Sequence, residues 1–177
     1  MRLVVSEARG RVRALLTLCG VVAAVALSNP AGAVTPEPMM VVNPQTVKFE
    51  AIPDMPSCAT GAIVRGSPRS GPAWVLLKLA SGCRVPWHWH TANEDLVVIS
   101  GKGAIDMTDG KPLPFVPGAF ASLPSHHTHR ASCVKSCLLF SIADAAFDIH
   151  YVDASGNEIP AKQALKEATR TKGVKKK

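Results

Sequence analysis

Turn-forming residues interrupt this chain so often that long helices have little room. The sequence contains 13 glycines and 14 prolines in 177 residues, and both residue types weaken a helix interior. Short runs rich in β-branched or alternating apolar residues lie between them and are typical of strands. The runs are Thr46–Phe49, Ala62–Arg65, Trp74–Leu79, Val85–His90, Leu96–Ser100, Gly103–Met107, Phe120–Leu123, Thr128–Ser132, Leu138–Ile142 and Phe147–Val152. Short strands joined by turns predict one all-β sandwich or barrel over residues 34–159.

The first 33 residues have the pattern of an export signal. Four arginines within the first 13 residues precede an apolar run at 14–27, which is shorter than the roughly 20 residues of a membrane-spanning helix. Ala31-Gly32-Ala33 then matches a cleavage site. We predict that residues 1–33 are removed during Sec export, leaving a periplasmic or secreted protein without stable membrane insertion. An uncleaved anchor or a buried helix is the alternative interpretation.

Positive charge is concentrated at the C-terminus. Residues 34–159 hold 9 basic and 11 acidic side chains, whereas residues 160–177 hold seven basic and one acidic. The tail alone contributes +6 to the net charge of +7, and the predicted barrel is slightly acidic, so nucleic acid is not an expected partner. We expect the tail to be solvated, with a short helix over 161–170. Contact with an anionic membrane surface is the alternative.

Four cysteines remain after the predicted cleavage, and an oxidising compartment favours disulfides over buried thiols. Cys133 and Cys137 flank residues 134–136, which fit a hairpin turn between two strands. Paired strand residues lie close enough to be bridged, so we predict a Cys133–Cys137 disulfide. Cys58 and Cys83 would then form the second pair.

Five of the six histidines fall between positions 88 and 129. His88 and His90 lie two apart in a predicted strand, so both imidazoles point to one face. Trp87 and Trp89 point to the other face, where we expect them to pack between sheets or at a dimer face. Glu94 follows at a spacing that allows a turn back towards the two histidines. Imidazoles and a carboxylate converging inside a barrel would form a site for a divalent first-row metal.

The spacing of these residues resembles the first motif of the cupin superfamily. The matching pattern is Gly82-x5-His88-x-His90-x3-Glu94-x6-Gly101. It agrees with the motif at every named position. Residues 42–44 and 147–153 also look like parts of small exported single-domain cupins, so the resemblance covers most of residues 40–153.

A second segment resembles the second motif of the same superfamily. The matching pattern is Gly118-x5-Pro124-x-His126-x2-His129. It departs from the family at His126, which replaces a glycine, and at Cys133, which replaces an asparagine. His127 falls outside the family spacing, and we expect it at the rim of the barrel. The last strand carries Asp148 and His150, which we expect to point outward.

The resemblance implies a jelly-roll barrel, or double-stranded β-helix, with His88, His90, Glu94 and His129 as metal ligands. It implies one divalent ion, with Fe, Mn, Ni, Cu and Zn all open. His126 is a candidate acid or base beside that metal. No extra carboxylate is evidently aimed at the metal, which weakens a decarboxylase interpretation.

Three functions are then open. The first is a metal-dependent enzyme, dioxygenase-like, that acts on a small organic substrate. The second is a non-catalytic metal-dependent protein that binds or senses a small molecule. The third is a structural or interaction protein that uses the barrel exterior and the basic tail. A homodimer is open for each of them. An intact set of converging polar ligands argues against the third function, because such groups are costly to bury unless satisfied. The sequence does not separate the first two.

Overall fold

The computed structural model describes residues 39–108 and 110–170, with side chains in the last helix as far as Lys166. The predicted export signal and the last seven residues of the basic tail lie outside the described residues. The division into a signal at 1–33, a barrel at 34–159 and a tail at 160–177 therefore stays a prediction.

Strands are the main regular structure of the described chain, and all of their pairings are antiparallel. Its elements are β1 (Glu50–Ala51), β2 (Ala59–Gly66), β3 (Ala73–Leu79), β4 (Arg84–Trp89), β5 (Glu94–Met107), β6 (Leu113–Phe115), β7 (Phe120–Leu123), β8 (His129–Ala143), β9 (His150–Tyr151) and α1 (Ala161–Arg170). This confirms the predicted all-β fold with a short C-terminal helix. Among the described residues, no helix is long and apolar enough to span a membrane.

The two longest strands, β5 and β8, close the barrel. They have 14 and 15 residues and pair with each other along almost their whole lengths. Towards its two ends β8 also pairs with β4 and with β3, while β5 pairs with β7 and with β6. Each long strand therefore belongs to both halves of a curled sheet, which is the double-stranded β-helix that the sequence implied.

The strand boundaries differ from the prediction where these long strands bend. Two predicted pairs of short strands each merge into one strand, because the chain bends at this corner without breaking the pairing. Gly101 adopts φ +87°, and a Cβ there would lie 2.4 Å from the Ser136 carbonyl oxygen. A Cβ on Gly103 would lie 2.0 Å from the Ser132 carbonyl oxygen. Glycine thus permits the close approach of β5 to β8. The short β6 was not predicted, and the first strand lies at 50–51 instead of 46–49.

Both disulfide pairs are present. Cys58 bonds Cys83, and Cys133 bonds Cys137. The hairpin predicted between Cys133 and Cys137 is wrong, since both cysteines lie within β8 and not on two strands. Residues four apart in an extended strand would be about 13 Å apart, but these Cα atoms are 6.0 Å apart. The exposed residues 134–136 therefore loop out of β8, at the bend where its register to β5 shifts.

The core lies inside the barrel and continues to the C-terminal helix. Leu79, Leu139 and Tyr151 are its largest fully buried side chains apart from the cysteines. Helix α1 packs against β4 and β9, and Ala164 is buried against the same cluster. Residues 161–170 are therefore a docked helix at the end of the barrel.

Candidate metal centre

Three buried histidines meet inside the barrel. His88 on β4 pairs directly with His129 on β8, and their ring centroids are 4.2 Å apart. The His90 ring, one residue past β4, lies 4.8 Å from that of His88 and 5.3 Å from that of His129. One ring nitrogen from each residue lies within 4.8 Å of the others. This cluster could hold a metal ion.

Backbone carbonyls set the tautomer of all three imidazoles. The Nδ1 atom of each ring lies 2.5–2.9 Å from a carbonyl oxygen, that of Pro86 for His88, of Asp148 for His90 and of His127 for His129. A carbonyl oxygen only accepts hydrogen bonds, so each Nδ1 carries the proton. Each Nε2 then keeps a lone pair, the state in which an imidazole binds a metal.

Burial also keeps the three rings neutral. It lowers the pKa of His88 well below the ordinary range, and repulsion from His129 and His90 adds to the effect. Burial likewise lowers the pKa values of His90 and His129. Neutral imidazoles are the form that a divalent cation requires, since protons compete for the same lone pairs.

Glu94 lies beside the histidine cluster at the start of β5. Its side chain is buried, with Oε2 3.6 Å from Nε2 of His90. Its other oxygen, Oε1, accepts a 2.6 Å hydrogen bond from the hydroxyl of Ser141. Burial raises the pKa of Glu94, and a bound cation would favour its ionised form. Ser141 was not singled out from the sequence, although residues 139, 141 and 143 alternate towards the same interior face.

Two carboxylates hold the loop that joins β4 to β5. Asp148 accepts hydrogen bonds from the backbone N–H and the hydroxyl of Thr91, at 2.8 and 2.6 Å. Asp144 accepts hydrogen bonds from the backbone N–H and the side-chain amide of Asn93, at 2.9 and 2.6 Å. Asp148 was predicted to point outward, and Thr91, Asn93 and Asp144 were not predicted to take part in the site. Each of the two carboxylates lies more than 50 positions along the chain from the residue that it binds. No local sequence pattern therefore reveals these contacts.

The loop before β8 is bonded to the same segment. Ser125 donates its N–H to the side-chain oxygen of Asn93 at 2.9 Å and its hydroxyl to the carbonyl of Thr91 at 2.6 Å. The N–H of His126 donates to the carbonyl of His90 at 2.8 Å. The loop that carries His90 and the loop that leads into His129 therefore hold each other in place.

The structure does not bring the imidazole of His126 to the cluster. His126 adopts φ +60°, a left-handed conformation that explains why the cupin motif has glycine there. Its exposed ring stacks on Trp89 with centroids 4.5 Å apart, and the other face of Trp89 stacks on His150 at 3.9 Å. The predicted acid–base role of His126 stays untested. His127 contributes its backbone carbonyl to His129, and its own ring is not part of the cluster.

Trp87, Trp89 and His150 also have surroundings that the sequence did not predict. Trp89 is half-buried between two imidazoles, and Trp87 packs under the guanidinium of Arg130, 4.6 Å from its ring centre. The ring nitrogens of His150 contact Glu158 and, at 3.2 Å, Asp148. These two contacts outweigh burial and raise the pKa of His150.

The cluster opens into a large cavity of about 930 Å³. Five buried polar residues line it, namely His88, His90, Glu94, His129 and Ser141. The rest of the inner wall is mainly aliphatic. Exposed charged residues, among them Lys48, Glu50, Asp54 and Arg69, line its outer part. The cluster could hold a cation, and the cavity has room for an organic molecule beside it.

Comparison with known proteins identifies the same architecture. Residues 75–142 match a family model described as a cupin domain. The polyketide cyclase RemF from Streptomyces resistomycificus superposes with a TM-score of 0.60 and 18% identity, over 75% of this chain and 93% of that one. An RmlC-like cupin from Ralstonia eutropha superposes with a TM-score of 0.55 and 14% identity, over 79% and 92%.

A further similar structure is a protein from Methylibium petroleiphilum that is provisionally assigned as an acetylacetone dioxygenase. It superposes with a TM-score of 0.55 and 12% identity, over 74% of this chain and 96% of that one. No curated protein matches the chain by sequence. At these identities the structural matches establish a shared fold only.

Proposed function

We propose that this chain, whose residues 75–142 match the cupin domain, is an exported, metal-dependent enzyme that acts on a small organic substrate. The proposed ligands are His88, His90, Glu94 and His129. One observation carries the proposal. Three buried imidazoles each donate a hydrogen bond from Nδ1 to a backbone carbonyl, so each keeps its Nε2 lone pair for a cation. The two disulfides support an oxidising compartment.

The donor set suits a first-row divalent metal. Three neutral imidazoles and one carboxylate can occupy four positions of an octahedron, and Fe, Mn, Ni, Cu or Zn accepts such donors. When bound, the ion would supply Lewis acidity and open coordination positions for an organic substrate and a small co-reactant. One ion per mature chain is proposed.

The chain's own residues orient this site. Asp144 and Asp148 hold the loop between His90 and Glu94 in one conformation. Ser141 holds one oxygen of Glu94, so the other oxygen remains towards the cluster. The aliphatic wall offers a bound substrate an apolar surface to bury against.

We propose a dioxygenase-like oxidation as the reaction. The neighbours named as a polyketide cyclase and, provisionally, as a dioxygenase are compatible with an enzyme on this fold. One observation favours the alternative function, a non-catalytic protein that binds or senses a small molecule. Among the described residues that line the cavity, the proton-transfer groups outside the cluster lie towards its exposed part, and the imidazole of His126 lies elsewhere.

The two functions are separated by oxygen consumption. Mature protein is loaded anaerobically with Fe(II) and its metal content is measured, after which candidate organic ligands and O₂ are added. An enzyme consumes O₂ in proportion to ligand, and replacing His90 by alanine abolishes that consumption. Tight ligand binding without turnover would instead establish the binding function. Failure to retain Fe, Mn, Ni, Cu and Zn when each is loaded in turn would overturn the metal site itself.

A further inference from the structure

In the cavity beside the metal-ligand cluster, the inner wall is aliphatic and the buried polar side chains lie together at the cluster. Its inner wall includes Leu77, Leu79, Val85, Leu96, Ile105 and Leu139, all aliphatic. Among described residues, Phe147 is the only phenylalanine, tyrosine or tryptophan that lines it, and the Phe147 ring packs on His90 with centroids 4.2 Å apart. The wall therefore offers burial of alkyl surface and little surface for stacking an aromatic ring.

Polar groups inside the cavity are confined to one place. The buried polar side chains are His88, His90, Glu94, His129 and Ser141. Ser141 already donates its hydroxyl to Glu94. Away from the exposed outer part of the cavity, a ligand can thus satisfy a polar group only at the cluster, because a polar group elsewhere against the aliphatic wall would be buried without a partner.

The charged part of the cavity does not select a net charge. Lys48 and Glu50 form an ion pair at 2.8 Å, and the remaining charged groups, Arg69, Asp54 and Asp148, are of both signs. Recognition must therefore come mainly from the apolar body of the ligand. The volume of about 930 Å³ lies near the upper end of pockets that enclose drug-sized molecules.

We propose that the substrate is a drug-sized molecule with a single oxygen-bearing head group and a long aliphatic body. The head group lies at the metal-ligand cluster, and the alkyl body fills the cavity against the wall formed by β3, β5 and β8. This inference rests on the proposed function and names the substrate class of the same site. Compact five-carbon diketones would leave most of the cavity unfilled.

The test uses straight-chain monocarboxylates from butanoate to dodecanoate, titrated calorimetrically into zinc-loaded mature protein. Each methylene that enters the aliphatic cavity should tighten the dissociation constant by about fourfold, until the cavity is full and the affinity levels off. Metal-free protein should show the same dependence on chain length at a lower overall affinity. A dissociation constant that does not change with chain length would overturn the proposal.

Cavity-filling variants locate the alkyl body. Val75 is half-buried on β3 and lines the cavity, so Val75→Phe should make the affinity level off at a shorter chain. Ile63→Trp, at a 62% exposed position that also lines the cavity, provides a second variant with less risk to folding. The matched control is Val97→Phe, because Val97 is also half-buried but pairs with Phe120 and Phe140 outside the cavity lining. Equal levelling in all three variants would place the alkyl body elsewhere.

Metal content separates this inference from the proposed function. Protein that binds one zinc but shows no dependence on chain length disproves the aliphatic substrate and leaves the metal site intact. Protein that shows the dependence but retains no metal disproves the metal-dependent function and leaves the aliphatic cavity assigned.

Discussion

His88 and His129 lie directly opposite each other in the antiparallel pairing of β4 with β8, with ring centroids 4.2 Å apart. Their Nδ1 protons point to the carbonyls of Pro86 and His127, so neither ring needs the other as a hydrogen-bond partner. Two imidazoles this close would repel each other if both were protonated. The pairing therefore favours the neutral rings, which are ready to share a cation.

Replacing His90 by alanine should reduce metal affinity by about tenfold or more, since even the loss of residues outside the ligand shell costs about 10–100-fold. The variant loses an imidazole whose Nδ1 is fixed by Asp148. The measurement is metal stoichiometry after dialysis against graded chelator concentrations. His127→Ala is the control, because its contact with His129 uses only the backbone carbonyl. Equal metal retention in both variants would show that the ligand assignment is wrong.

Asp144 should influence the metal site without touching it. Asp144→Ala removes both hydrogen bonds to Asn93 and loosens the loop before Glu94. We expect the metal affinity to fall by nearly tenfold. We also expect the free energy of unfolding to fall by about 1–2 kcal/mol.

Asp153→Ala is the matched control for that change. Asp153 accepts hydrogen bonds from the backbone N–H groups of Ser155 and Asn157 in a turn outside the metal-site braces. Its loss should lower the free energy of unfolding by a similar amount and leave the metal dissociation constant unchanged. If both variants lose metal equally, the role of Asp144 is general stability and not positioning.

His88 should make the metal-free protein less stable in acid. Its pKa is lowered in the folded state, so below about pH 6.5 the unfolded chain binds more protons than the folded one. The stabilising contribution is thus present above that pH and is lost as the pH falls towards the folded value. Glu94 and His150 have raised pKa values and act in the opposite direction.

A difference measurement isolates the contribution of His88. Urea unfolding of metal-free wild type and of His88→Asn is compared between pH 7.5 and 5.5 (values chosen to bracket the ordinary histidine pKa of about 6.5). The wild type should lose more stability than the variant over this interval. A parallel decline of both proteins would mean that His88 takes up its proton as readily in the fold as in the unfolded chain.

The two disulfides should differ in their contribution to stability. They close segments with sequence separations of 25 and 4. By loop-closure entropy, replacing Cys58 and Cys83 with alanine should cost about 3.5 kcal/mol, and replacing Cys133 and Cys137 about 2 kcal/mol. Denaturant unfolding of the two double variants measures both values. A larger loss from the shorter loop would show that the bend in β8, not chain entropy, controls the stability.

Local spacing was sufficient to predict much of the site from the sequence. His88 and His90 share a face because strand side chains alternate with period two. The frequent glycines and prolines were sufficient to exclude long helices. The Cys133–Cys137 bond was also predicted. Its local geometry was not, because an excursion within one strand and a hairpin between two strands present the same short spacing.

Tertiary structure alone decided which distant groups complete the site. The carboxylate of Asp148 reaches Thr91 across 57 positions, and Ser141 reaches Glu94 across 47. Such contacts depend on how β8 and the segment before β9 close over β4 and β5, and no short-range periodicity encodes that closure. The left-handed backbone of His126 likewise turns its ring onto Trp89. Sequence therefore determined which residue types could bind a metal, because their alternation is local, whereas the chain path determined what orients them, because those partners meet only when the barrel closes.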